Sequence, residues 1–230
     1  MGDILTGLAG GLTGAAATLL IPSIRRFVWG PELKLDFDKD GEGFIAKTPI
    51  LMQEPGNQPI IHEGIYIRVK VTNVKCNLAK QCRAFLVNIE KQNKDGIFKP
   101  TIYCDSIQLQ WACRENQGFS AIDLPNGIMQ FIDILATIKN FPYYEMKIGA
   151  PPFRYIDLFS ESGIFRFTIQ VSGDEVIPKF IRLIFYWREK WDDFDVSLDK
   201  KTFLPTSNYL INYFRDTIAI WIKNKLKNFK

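Results

Sequence analysis

The sequence predicts a mainly β protein: an antiparallel two-sheet sandwich set between an apolar amino-terminal segment and a basic amphipathic helix at the carboxyl end. Three observations lead there. Several stretches alternate apolar and polar residues with period two and are separated by Gly, Pro and Asn turn signals. Before the first of them lie 21 consecutive uncharged positions, Ile4 to Ile24. Beyond residue 205 the apolar spacing changes from two to three and four, the period of a helix. The boundaries drawn from these changes are 1–29 for a hydrophobic anchor, 30–205 for the sandwich and 206–230 for the basic helix.

About 20 uncharged, mostly apolar residues are enough to cross a bilayer as a helix. Leucines and isoleucines supply the hydrophobicity, glycines and threonines dilute it, and Pro22 stands near the exit, where a helix tolerates it. Gly7, Gly11 and Ala15 recur every four positions, as do Gly10, Gly14 and Thr18. Such rows of small residues let membrane helices approach closely, so Gly7, Gly10, Gly11 and Gly14 are the candidate self-association residues. Arg25 and Arg26 follow the apolar run, and Asp3 precedes it without a basic residue. That order argues against a cleaved signal peptide and keeps the carboxyl side in the cytoplasm, with Trp29 as an interfacial aromatic. The expectation is a single-pass protein of the cell membrane with most of the chain cytoplasmic. The competing reading is an apolar helix docked against a partner subunit.

Gly30-Pro31 reads as a stiff joint. Leu33, Leu35 and Phe37 then alternate with charged residues, Lys39-Asp40-Gly41 turns, and Phe44 to Thr48 resumes, which predicts a hairpin. Residues 52–59 are Pro- and Gly-containing loop. Ile65, Ile67, Val69 and Val71 define the clearest strand. After a turn at Val74 to Leu78, Ala79 to Glu90 returns with Phe85, Val87 and Ile89 assigned to one face. Asn93 to Gly96 is a loop, Ile107 to Trp111 and Ile122 to Leu124 are short strands, and Pro125-Asn126-Gly127 leads into a strand from Met129 to Ile138. Asn140 to Phe159 reads as a long connection or irregular edge. Phe165 to Val171 and Ile181 to Trp187 form a hairpin of two long strands around Gly173-Asp174. In the last segment Leu210, Phe214, Ile218, Trp221 and Ile222 share a helical face, and lysines gather at its end, where the helix dipole favours cations.

The chain has 230 residues, 47% hydrophobic and 23% charged, enough for one substantial core. Its net charge of +4 is local: residues 207–230 hold Arg215, Lys223, Lys225, Lys227 and Lys230 against Asp216 alone. The remainder is neutral, so no basic stripe on the body points to direct nucleic-acid binding. Four cysteines lack a C-x-x-C pair and His62 is the only histidine, which disfavours a zinc site and predicts reduced, mostly buried thiols.

Tyr66 to Asn73, then Ala79 to Ala84, is similar to a strand-turn-strand unit of uncharacterised prokaryotic membrane-anchored proteins, in which an immunoglobulin-like β-sandwich follows an amino-terminal hydrophobic segment. "IDLPNG" at Ile122 to Gly127 with "FIDIL" at Phe131 to Leu135 resembles the middle of that pattern. "GIFRFTIQVSGD" at Gly163 to Asp174, running on to "WDDFDVSL", resembles its end. The resemblance covers roughly residues 33–198 and implies an immunoglobulin-like fold rather than an activity, since sandwiches carry many unrelated functions. The basic helix lies outside it.

No chemistry-bearing constellation survives inspection. Asp36-x-Asp38-x-Asp40-Gly41 opens like a calcium loop, but the twelfth position is Lys47 instead of a bidentate Glu. His62 reads as a loop residue between Pro59 and Gly64, without a nucleophile elbow, and Asp192, Asp193 and Asp195 read as a solvated strand end. The sequence therefore predicts a non-enzymatic membrane-anchored protein, without cofactor or metal, whose cytoplasmic sandwich binds a protein partner. Arg25, Arg26, Arg215, Trp221, Lys223, Lys225, Lys227 and Lys230 are candidate contacts with anionic lipid or with that partner. Two alternatives share the architecture. One is a membrane-disrupting effector of a prokaryotic antiviral defence system that oligomerises through its Gly-rich helix; the other is a soluble subunit with a docked apolar helix.

Overall fold

The computed structural model describes residues 29–52, 60–113, 118–141, 144–146 and 155–200. Gly7, Gly10, Gly11, Gly14, Arg25 and Arg26, and the tail residues Arg215, Trp221, Lys223, Lys225, Lys227 and Lys230, lie outside them. The chain divides into two compact units between Asp199 and Lys200, and the account below concerns the first.

Among the described residues thirteen strands follow one another: β1 (Leu33–Asp36), β2 (Ile45–Met52), β3 (Ile60–Asn73), β4 (Ala79–Gln92), β5 (Phe98–Pro100), β6 (Ile107–Gln108), β7 (Gln110–Trp111), β8 (Ile122–Leu124), β9 (Met129–Ile138), β10 (Tyr144–Met146), β11 (Gly163–Asp174), β12 (Val176–Lys190) and β13 (Asp193–Leu198). One short helix, α1 (Ile156–Ser160), precedes β11. The protein is thus mainly β, and every strand pairing is antiparallel. The first sheet runs β1–β3–β9–β10, with β2 also on β3 and β7 also on β9. The second runs β13–β12–β11–β4–β5, with β6 and β8 also on β4.

Alternation decides which side of each strand is buried. On β3, Ile65, Ile67, Val69 and Val71 are buried; on β11 the same holds for Phe165, Phe167, Ile169 and Val171. Side chains of both sheets belong to one hydrophobic cluster. Within it Tyr144 is surrounded by the rings of Phe159, Phe165, Phe167, Phe185 and Trp187, at centroid distances of 5.1–6.1 Å. Its hydroxyl donates to the Leu158 carbonyl at 3.2 Å, so this buried phenol is satisfied, and burial pushes its pKa far above the ordinary tyrosine value.

Five details depart from the sequence reading. The predicted hairpin at Lys39-Asp40-Gly41 is absent, because β1 and β2 pair end to end along one edge of β3 instead of with each other. Between them the chain makes an excursion whose ends are fixed by Phe37 and Phe44, buried edge to face 5.8 Å apart. Apolar anchoring at both ends holds the Asp-rich turn out as a loop, with Lys39 bonded to Asp195 of β13. On β4 the buried face is Ala84, Leu86 and Ile89, not Phe85, Val87 and Ile89. The register against β11 shifts there, with Ile169 opposite Leu86 and Thr168 opposite Asn88. Val87 is the extra residue of a bulge, and a one-residue insertion moves the alternation to the other face. His62 stands within β3 against the Phe141 ring, not in a loop. The stretch read as a long connection or irregular edge contains β10, an edge strand of the first sheet, and α1. Finally, all four cysteines are free, but only Cys82 is buried; Cys76, Cys104 and Cys113 are exposed.

Candidate functional site

The outer face of the second sheet carries a cluster of charged and aromatic side chains centred on Arg166. Alternation along β11 turns Ile164, Arg166, Thr168 and Gln170 away from the core. The register sets Arg166 between Glu90 of β4 and Ile184 of β12. Nε and Nη2 of Arg166 donate to the two carboxylate oxygens of Glu90, both at 2.7 Å, and Nη1 donates to Asp199 Oδ2 at 3.4 Å. The guanidinium also lies over the Phe98 ring, 4.4 Å from its centroid. The side chains of Arg166, Glu90 and Asp199 are 18%, 12% and 3% exposed. Hydrogen bonding to Glu90, opposed by burial, raises the pKa of Arg166 above its ordinary value.

Apolar side chains flank this cluster. Phe85 and Phe180 sit opposite Gln170 at one end of the face, and Tyr186 sits opposite Ile164 at the other. All are half-buried. Between them Thr168 is buried, and its hydroxyl has no hydrogen-bond partner among the described residues. The guanidinium is engaged by two carboxylates and a ring, which suits recognition through shape and apolar contact more than proton transfer.

A second surface lies at the end of the sheets where the chain leaves Trp29. Three segments meet there: residues 29–33, the β3–β4 turn and the β8–β9 turn. Asn73, fully buried, ties them together. Its amide nitrogen donates to the carbonyls of Asn77 at 2.7 Å and Leu124 at 2.9 Å, and its oxygen accepts from the Lys75 amide at 3.2 Å. Backbone bonds from Val74 to Glu32 and from Gly127 to Asn73, both 2.8 Å, complete the junction.

Of the acids considered in the sequence, Asp193 accepts from Arg188 at 2.6 Å, Asp195 accepts from Lys39 and the Val196 amide, and Asp192 is exposed. Asp38 caps its own turn by accepting from the amides of Asp40 and Gly41. Among the described residues no group of three His, Cys, Asp or Glu is arranged to hold a metal, and no helix is long and apolar enough to cross a membrane. The sequence reading missed Glu90, Arg166, Phe98 and Asp199, which carry no local motif. Of the junction, the sequence reading gave only the turns at Val74 to Leu78 and Pro125-Asn126-Gly127. Compared with known families and with curated proteins, the sequence matches neither a family model nor a curated protein.

Proposed function

We propose that the chain is a non-enzymatic, single-pass membrane protein whose cytoplasmic immunoglobulin-like sandwich binds a protein partner through the outer face of its second sheet. The observation that carries the binding role is the composition of that face. A sheet face turned to water is ordinarily polar. Here Phe85, Phe98, Phe180, Ile184 and Tyr186 surround a saturated ion cluster and a buried, unpartnered hydroxyl. Support for the immunoglobulin-like fold comes from strand order. Reading β1/β2, β3, β9 and β7 as A, B, E and D, and β4, β11 and β12 as C, F and G, reproduces the pairings of that family, while β10, which follows β9 in the chain, extends the same edge as an addition to the pattern. Anchoring rests on the uncharged run Ile4 to Ile24 and the Arg25-Arg26 pair behind it.

The small-residue rows at Gly7, Gly11 and Ala15 and at Gly10, Gly14 and Thr18 favour a second reading, a membrane effector whose helices associate to breach the bilayer. Carbonate extraction with a membrane-potential dye in the same cells separates the two. A passive anchor resists extraction and leaves the potential normal, also after Gly7, Gly11 and Gly14 are changed to Leu. An effector collapses the potential, and the same changes restore it. A chain that washes off fits neither and indicates a docked subunit. Partner binding is tested by photo-crosslinking from position 186, with position 94 in an exposed turn as control. A discrete adduct from 186 alone supports the face; equal yields from both count against it.

A further inference from the structure

The junction at Trp29 is more than a point of attachment. Ten large hydrophobic side chains are exposed among the described residues, and five of them gather here: Trp29, Val74, Leu78, Ile128 and Met129, each 40–63% exposed. The register shows that they share one end of the first sheet. Thr72 lies opposite Met129, Asn73 lies opposite Leu33, and Val74 bonds back to Glu32. Apolar residues in turns are unusual, because turns face water. These turns are also held firmly, through the buried Asn73 amide and the Asn77 amide donating to the Trp29 carbonyl. The result is a fixed apolar platform.

What it faces follows from the length of chain behind it. Only Arg25, Arg26, Phe27 and Val28 separate Ile24 from Trp29. Five residue steps span at most about 17–18 Å even fully extended. If Ile4 to Ile24 occupies the bilayer, Trp29 lies within roughly that distance of the hydrocarbon edge, and the headgroup layer itself takes up about 5–8 Å. A platform of Trp and aliphatic side chains so near that layer has the chemistry of an interfacial seat.

We propose that Trp29, Val74, Leu78, Ile128 and Met129 rest in the headgroup–acyl boundary of the cytoplasmic leaflet and stand the sandwich upright on the membrane. The proposal rests on the anchoring reading above. It has a geometric consequence: β3 and β4 rise away from the lipid, so the outer face of the second sheet is presented sideways, along the membrane plane. The partner best placed to meet it is itself held at the membrane.

Cys76, exposed in the β3–β4 turn, provides the probe. The full chain, carrying Cys104→Ser and Cys113→Ser, is labelled at Cys76 with an environment-sensitive dye and reconstituted in vesicles of phosphatidylcholine with a minor share of phosphatidylglycerol. The comparison adds Cys76→Ser and Lys94→Cys, placing the dye in the turn beyond β4. The Cys76 dye should be quenched by headgroup-labelled lipid and shielded from aqueous iodide, whereas the dye at position 94 should behave oppositely, with at least a threefold difference in quenching. Adding Val74→Asp and Ile128→Asp should abolish that difference while carbonate resistance persists. A chain that resists carbonate but leaves the Cys76 dye open to iodide overturns the seat and spares the anchor. A chain removed by carbonate overturns both.

Discussion

Replacing Arg166 with methionine asks whether the charge cluster holds the second sheet together. The change keeps a long apolar stem but removes the fork. Glu90 loses both 2.7 Å hydrogen bonds, and Asp199 loses its longer one. Those carboxylates are 12% and 3% exposed, so water replaces little of what is lost. Breaking a buried pair from one side costs about 3–5 kcal/mol. Because Arg166 and Glu90 keep some contact with solvent, the expectation falls at the lower end, about 3 kcal/mol or roughly a hundredfold in the folding constant. Urea unfolding of the full chain in mild detergent measures it, with tryptophan fluorescence as the signal, since Trp111 and Trp187 are buried. Arg166→Lys should lose about half as much, because an ammonium cannot make the bidentate contact. Arg166→Met combined with Glu90→Met should recover part of the loss by removing a stranded carboxylate. If Arg166→Met shifts stability by less than about 1 kcal/mol at an unchanged denaturant slope, the cluster is not holding the sheet and the reasoning fails.

Three further outcomes are expected. Gly173→Ala should cost about 1–3 kcal/mol and lower the thermal midpoint, because the added Cβ would stand 2.6 Å from the Lys80 carbonyl oxygen and 3.1 Å from Cys82 Sγ; an unchanged midpoint would mean that β4 and β11 approach less closely. A thiol reagent followed by mass spectrometry should add three labels to the native chain, at Cys76, Cys104 and Cys113, and a fourth only in denaturant. Burial pushes the Cys82 thiol up to about 12, so rapid native labelling there would contradict the packing. The hydrogen bond from Lys179, with help from Lys75, holds Glu32 below the ordinary glutamate value, so its contribution is present at neutral pH and is lost as the pH falls through that lowered value. Glu32 is 42% exposed, so Glu32→Gln should cost less than about 1 kcal/mol at pH 7 and nothing in acid; a loss that grows on acidification would reverse the assigned sign.

What the sequence revealed divides along physical lines. Long strands with a buried face announce themselves, because burial imposes period two: the alternation of β3 from Ile65, of β11 from Phe165 and of β12 from Ile181 was legible, whereas the earlier starts of β3 at Ile60 and β12 at Val176 were not. The two-residue β6 and β7 were read as one short strand, Ile107 to Trp111, and the three-residue β5 and β10 are too short for a period to register. The bulge at Val87 was invisible because its cause is the register against β11, a partner some eighty positions away. The same holds for β1 and β2. Two stretches beside a Gly turn look like a hairpin until β3, long enough to pair with both, competes for their backbone groups. The Arg166 cluster joins residues separated by 76 and 33 positions, each ordinary at its own place. The apolar platform was half legible, since Val74 and Leu78 lie where the chain was read as turning and Ile128 directly follows the Pro125-Asn126-Gly127 turn.

The order in which the sheets are laid down has a consequence for synthesis. The strands β11, β12 and β13 neighbour one another in sequence and can close as soon as they are made. By contrast β3 must wait for β9, and β4 for β11. At ~5–20 residues per second, the 82 positions from Gln92 to Asp174 take roughly 4–16 s to translate. Until Ile138 is made both 14-residue strands, β3 and β4, carry an open edge, and β4 keeps its own until β11 is complete, the condition under which β-rich chains aggregate. Neither sheet is therefore complete until strands from the carboxyl-terminal half have arrived.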